Sequence, residues 1–459
     1  MDRAAEFILS AEKNVFDTEL HRKLDFNIAN YNQKVALGKQ QFANLELART
    51  RASVMRNRAI ENLDKYLIEF EANFIRRGGK IIWAQDAAEA NREILQVLKK
   101  SGTELVVKSK SMVTEEIGLN EFLKKEGIEA VETDLGEYIQ QLAGEAPYHI
   151  VTPAMHKSKE DVAKLFHEKK GTPPDLSPAQ ITEWVRDHLK EKFRKAGAGI
   201  TGANFIVADP GAIAVTENEG NGLMAMAFPK THIVVTSIDK IIPALSDLDL
   251  LWPLLATYGT GQQVSVYNSI ITGPRQPGEH DGPEELVLVL LDNGRSNLLA
   301  QVEQRRALQC IRCGACLNAC PVYTAVGGHT YNAVYSGPVG AVVMPWMAGM
   351  QEYRHLSYAS TGCGKCSEAC PVKIDLHKLL AHNRRDAVTA GPAAKTETVM
   401  WFFWKGAMMK RSKMDKGGAK LKNFMLRQFF RKSWGERREL PPVAQKSFNQ
   451  VWRERKGIK

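Results

Sequence analysis

The stretch Cys310-Ile-Arg-Cys313-Gly-Ala-Cys316-Leu-Asn-Ala-Cys320-Pro321 holds four of the chain's seven cysteines. Its spacing, C-x2-C-x2-C-x3-C-P, lets three thiolates wrap one face of an iron–sulfur cubane while the intervening amides point at cluster sulfurs. Pro321 stops the local turn and directs the fourth cysteine outward, to serve the other cluster of a two-cluster module. Zinc also accepts C-x2-C pairs, but its structural sites take two separated pairs rather than three evenly spaced cysteines followed by C-P. A second stretch, Cys363-Gly-Lys-Cys366-Ser-Glu-Ala-Cys370-Pro371, repeats the pattern with Ser360 standing where a first cysteine would fall.

The swapped fourth cysteine assigns Cys310, Cys313, Cys316 and Cys370 to one cluster and Cys320, Cys363 and Cys366 to the other. Both read as [4Fe-4S] clusters, the second one cysteine short. Three readings stay open for that position. Ser360 ligates as an alkoxide, another oxygen or nitrogen ligand serves, or the cluster is [3Fe–4S] or keeps an open iron. An empty second motif is opposed by its three retained cysteines and intact C-P. The motifs are separated by 42 residues, from Cys320 to Cys363, a longer link than a compact ferredoxin uses. With Gly327-Gly328, Tyr331, Tyr335, Pro345 and Trp346 in the insert, residues 296–385 read as an α-helical, ferredoxin-like two-cluster module. Gly314, Ala315, Ala319 and Gly364 are small enough to admit N–H···S bonds to the sulfurs.

Upstream, apolar runs alternate with helical periodicity. Strands are expected at 80–84, 104–108, 128–132 and 148–152, with helices at 87–100, 115–125, 136–142, 159–168 and 178–196. Further strands are expected at 200–207, 212–216, 232–236, 263–271 and 285–291. This βα alternation predicts one α/β domain over 76–295, a parallel-rich sheet covered by helices. Residues 1–75 read as a helical region. Residues 386–459 form a basic, aromatic extension in which Gly417-Gly418 and Pro441-Pro442 break any long helix.

The chain's 459 residues suit two to four domains, and its net charge of +10 is local rather than general. Between Trp401 and Lys459, 17 Lys/Arg face 4 Asp/Glu, a net +13, so the other 400 residues sum to −3. Val399-Met-Trp-Phe-Phe-Trp-Lys405 and then Phe424, Met425, Leu426, Phe429, Phe430 and Trp434 interleave aromatics with that charge. Such a tail suits a protein partner or peripheral contact with the inner face of a membrane, or packs as a strap on the cluster module. Nucleic acid is permitted by charge but supported by no motif. No apolar leader and no spanning segment are visible, and all seven cysteines lie in cluster motifs, so a cytoplasmic chain is expected. No G-x-G-x-x-G fingerprint or P-loop appears, so hydride chemistry is expected elsewhere.

The first cysteine run, the serine-for-cysteine second motif, the stretch from Thr201 to Asn221 (TGANFIVADPGAIAVTENEGN) and Leu291-Asp-Asn-Gly-Arg-Ser296 together resemble the lactate utilisation protein B family. The resemblance covers nearly the whole chain. It implies the iron–sulfur component of a three-part bacterial system that oxidises L-lactate to pyruvate, relaying electrons between companion subunits. It also implies a lactate-utilisation (LUD) domain resembling the fold of sugar-phosphate isomerases and CoA transferases. Thr216-Glu217-Asn218-Glu219-Gly220 is loosely similar to the CoA-transferase loop whose glutamate is the nucleophile, but Glu219 breaks the match. A loop that shapes a pocket or caps a sheet end is the plainer reading. His232 reads as a structural histidine before a ligand, and Arg275 as a loop arginine that suits a carboxylate. Two rival functions stand beside the relay: a stand-alone iron–sulfur enzyme with its substrate in the α/β domain, and a cluster-sensing regulator.

Overall fold

A computed structural model describes residues 2–391, 395–414, 418–434 and 439–457. Contacts divide the chain into two compact units, Met1–Ala387 and Val388–Lys459.

In the first unit, ten strands form among the described residues: β1 (Lys80–Ala84), β2 (Leu105–Lys108), β3 (Glu129–Glu132), β4 (Ala198–Thr201), β5 (Phe205–Val207), β6 (Ala212–Glu217), β7 (Thr231–Ser237), β8 (Ile241–Ile242), β9 (Tyr267–Ile271) and β10 (Glu285–Leu291). Six of them make an all-parallel sheet in the order β1-β10-β7-β4-β2-β3. Its inner strands, such as Thr231-His-Ile-Val-Val-Thr-Ser237, are buried along their whole length, as a sheet sandwiched between helix layers requires. Helices Ala87–Lys100, Leu135–Ala143, Lys159–Lys170 and Pro178–Lys195 lie in the connections of this sheet. The remaining strands form a smaller sheet, β8-β5-β6-β9, with antiparallel pairs at β5–β6 and β6–β9.

Three local expectations need correction. Residues 148–152 form no strand; the segment bends toward the cysteine module, where the Tyr148 carbonyl accepts from Tyr323 Oη at 2.8 Å. The run 200–207 splits into β4 and β5, which belong to different sheets. The helix expected at 115–125 is two, Met112–Glu116 and Leu119–Lys125, parted by Gly118 at φ 61°.

Four helices, Arg3–Val15, Thr18–Gly38, Leu45–Glu61 and Leu63–Arg76, precede β1. Ala48, Ala52, Arg56, Ala59 and Ile60 make the buried stripe of the third. Ala52 and Ile60 join the core that surrounds the cysteines, while Ala59, Phe70 and Phe74 pack under the sheets. The second unit carries helices Lys395–Met408, Arg411–Met414, Ala419–Trp434 and Phe448–Lys456. Trp401, Phe402, Phe403, Trp404, Phe424 and Phe429 are exposed. Gly417 and the side chains of Phe430 and Trp434 lie outside the described residues. Among the described residues no helix is long and apolar enough to cross a membrane.

Candidate functional site

The two cysteine motifs fold alike at an offset of fifty residues, Cys313 to Cys363 and Cys320 to Cys370. Gly314 at φ 76° and Gly364 at φ 83° open the short helices Ala315–Asn318 and Lys365–Glu368. This left-handed conformation is open to glycine without a Cβ penalty. Arg312 and Gly362 match in the same way, at φ 61° and 71°. The offset sets Ser360 opposite Cys310, and their bonding matches too. The Arg312 N–H donates to Cys310 Sγ at 3.3 Å, and the Gly362 N–H donates to Ser360 Oγ at 3.1 Å. Further amides, of Tyr323 and Ile374, donate to Cys320 Sγ at 3.5 Å and Cys370 Sγ at 3.3 Å.

Cys310, Cys313, Cys316 and Cys370 line one space of about 360 Å³, walled by Ile150, Ile311, Val339 and Ile374. Cys320, Cys363, Cys366 and Ser360 line another of about 300 Å³, with Thr361, Gly364 and Leu380. Both volumes include some open solvent. Each motif's last cysteine therefore lines the space of the other motif. All seven cysteines are free, and only Cys363 is exposed. Burial, followed by the neighbouring Cys310, pushes the Cys313 and Cys316 thiols well above their ordinary range. Burial also raises Cys366 to about 11 and Cys370 to about 12. Buried sulfurs crowded in this way repel one another as thiolates, and a bound cationic cluster relieves that cost. The donor set therefore fits iron–sulfur clusters.

A buried ionic seam joins the first motif to the carboxyl ends of the parallel strands. Arg295, wholly buried, pairs with Asp239 at 2.7 Å and with Glu116 at 2.8 Å. Tyr335 Oη donates to Glu116 at 2.6 Å, and Arg312 lies over the Tyr335 ring. Arg56, also wholly buried, donates to the carbonyls of Asp239, Ile241, Leu308 and Gln309. Arg49 donates to the carbonyls of Glu368 and Cys370. Burial, then Arg312, lowers Lys240 to about 7. Sequence reasoning did not single out Arg49, Arg56, Glu116, Asp239 or Lys240, and it named Arg295 and Tyr335 only within the family signature and the insert. One signal was readable: Arg56 falls on the apolar stripe Ala48, Ala52, Ala59 of its helix.

The weaker candidates take structural places. Glu217 spends both carboxylate oxygens on the Gly222 and Leu223 amides, at 2.6 Å each, at the start of helix Asn221–Ala227. Its neighbour Glu219 accepts from the Asn218 N–H at 3.2 Å. His232 is buried against Thr201 Oγ1 at 2.8 Å, and burial pushes it down to about 3. Arg275 pairs with Glu284 at 3.3 Å on a surface loop. None of the four lines either cysteine space. The α/β domain has a groove of its own, about 1380 Å³ including open solvent, beside β3. Lys108 sits buried between Glu132 at 2.7 Å and Glu115 at 3.1 Å. Asn120 Oδ1, Glu132 Oε2, Gln140 Oε1 and both Glu137 oxygens lack hydrogen-bond partners there.

Residues 67–291 match the LUD domain family, and residues 306–374 match the 4Fe-4S dicluster domain family. The chain is 40% identical to lactate utilization protein B of Shouchella clausii over 464 residues, covering 98% of this chain and 97% of the relative. It is 47% identical to lactate utilization protein B of Bacillus subtilis over 350 residues, covering 76% of this chain and 73% of the relative. A third relative, from Escherichia coli K12, is named uncharacterized electron transport protein YkgF. It is 42% identical over 374 residues, covering 81% of this chain and 78% of the relative.

Proposed function

The chain belongs to the lactate utilization protein B family, and on that premise we propose that it is the iron–sulfur electron-transfer component of a multi-protein system oxidising L-lactate to pyruvate. Cys310, Cys313, Cys316 and Cys370 would hold one [4Fe-4S] cluster. Cys320, Cys363 and Cys366 would hold the second, with Ser360 as its oxygen ligand. The observation that carries this reading is the division of the cysteines between two spaces, each motif's last cysteine facing the other motif's space. Bound clusters supply one-electron redox chemistry.

The chain's own residues do the rest. Ile150, Ile311, Val339 and Ile374 exclude water from the first space, and amide N–H groups donate to its sulfurs. The second space carries the exposed Cys363, the side suited to electron exchange with a companion protein. Lactate gives up two electrons, and two one-electron carriers match that count.

The α/β domain is read as an isomerase/CoA-transferase-like scaffold without the transferase's chemistry, since both Glu217 oxygens are committed to a helix start. The groove beside β3 presents unpaired acceptors beside Lys124, and the sequence carries no G-x-G-x-x-G fingerprint for a hydride carrier. Lactate oxidation is therefore assigned to a companion protein, and the basic aromatic tail to docking one.

Anaerobic reconstitution with iron and sulfide counts and EPR tests the reading. The expected result is about eight irons per chain, two cubanes' worth, and two signals. Cys313→Ala should remove the first signal and Cys366→Ala the second. About four irons and one signal after careful reconstitution would overturn it.

A further inference from the structure

Glu145, His156 and His329 meet where the segment after helix Leu135–Ala143 touches the insert between the cysteine motifs. One ligating atom from each lies within 4.8 Å of the other two. His156 Nε2 is 2.9 Å from Glu145 Oε2, and Lys157 takes the other carboxylate oxygen at 2.7 Å. His329 Nε2 donates to the Ala146 carbonyl at 2.8 Å, which leaves a lone pair on its Nδ1. His156 Nδ1 is buried with no hydrogen-bond partner. The Tyr148 ring stacks on His156 at 4.5 Å and meets His329 edge-on at 4.9 Å, so both imidazoles are held in place. Gly328, next to His329, permits that approach: a Cβ there would sit 1.9 Å from the Tyr148 carbonyl oxygen.

We propose that Glu145, His156 and His329 bind one divalent transition-metal ion of the zinc class. Two imidazole nitrogens and a carboxylate oxygen are the donor set zinc takes when a fourth position is left for water or an outside ligand. As the ion takes His156 Nε2, the ring proton held against Glu145 shifts to Nδ1, and the imidazole binds as a neutral ligand. The Ala146 carbonyl behind His329 and the Lys157 ammonium behind Glu145 orient the ligands, as outer partners do at metal sites. The ion ties the insert to the α/β domain. None of its ligands lines either cysteine space, so the site stands apart from the clusters.

The test uses the full, cluster-loaded chain, stripped of loosely held metal with a chelator and dialysed against zinc, with zinc and iron counted together. One zinc per chain is expected, with iron unchanged. His329 is exposed, so His329→Gln should leave the fold and iron content intact while weakening zinc binding about tenfold or more. His156→Gln combined with it should abolish binding. Zinc should also raise the melting temperature of the wild type and leave that of His329→Gln unmoved. No stoichiometric zinc in the wild type, equal binding by His329→Gln, or zinc gained only as iron is lost would each overturn the proposal.

Discussion

At Ser360 a hydroxyl occupies the place that Cys310 gives to a thiol, and the two donors differ in how readily they lose a proton. A free cysteine ionises near pH 8.5, about the range of physiological proton transfer, whereas an unassisted serine hydroxyl holds its proton. If Ser360 Oγ holds an iron, as proposed, that iron would be bound less firmly than its neighbours. Ser360→Ala should make the second cluster lose one iron readily, with a [3Fe–4S]-type EPR signal growing as the first cluster's signal stays constant. Ser360→Cys should retain all the iron and move the second cluster's potential alone. If Ser360→Ala leaves iron content, EPR and potential untouched, Ser360 is no ligand. This residue was readable because a spacing rule exposes a missing member. Glu145, His156 and His329 were not, since His329 lies far along the chain from the other two and only the fold brings them together. His232 gave no pattern to misread, and its place against Thr201 Oγ1 is that of a buried structural histidine.

Among the elements, those set by local pattern stood where the sequence put them. Lys80–Ala84, Ala87–Lys100 and Glu285–Leu291 follow from alternation, helical period and turn residues within themselves. Elements decided by distant partners did not. Tyr148-His-Ile-Val-Thr152 has strand composition, yet its backbone is recruited by Tyr323 and its Ile150 by the first cysteine space. Leu291-Asp-Asn-Gly-Arg-Ser296 was legible as a family signature but not as a joint. In the structure Asn293 donates to Glu116 at 2.7 Å, and Arg295 couples helix Met112–Glu116, the end of β7 and Tyr335 of the cysteine module. Glu116 is pulled below its ordinary range against the pull of burial, chiefly by Arg295. Asp239 is likewise held low by Arg295, then Arg312, despite its burial. Arg295→Met removes the cation and strands two buried carboxylates. The expected loss is about 3–5 kcal/mol in urea denaturation. A loss below about 1 kcal/mol, the scale of an exposed pair, would mean the seam does not hold the two domains.

Over the whole molecule, buried hydrophobic side chains and net charge are distributed oppositely. Among the described residues every buried hydrophobic side chain lies at or before Ala387, and both cysteine spaces are lined from the same unit. Beyond it, Phe402 is 74% exposed, Phe403 70%, Phe429 67% and Phe448 80%, in the segment where the sequence places a net +13 from Trp401 onward. Large aromatics left exposed in this number mark an interaction surface rather than a finished core. Interleaved with cations, they suit a partner whose facing surface is acidic. A chain ending at Ala387 should therefore keep its iron, its visible absorbance and the melting temperature of the first unit, and should no longer co-purify with companion proteins of the lactate system. If truncation instead sheds the clusters or precipitates the protein, the tail is a packing strap and its docking role is wrong. If the full chain floats with anionic vesicles, and salt abolishes the flotation because the charges are then screened within about 8–10 Å, the surface it meets is lipid.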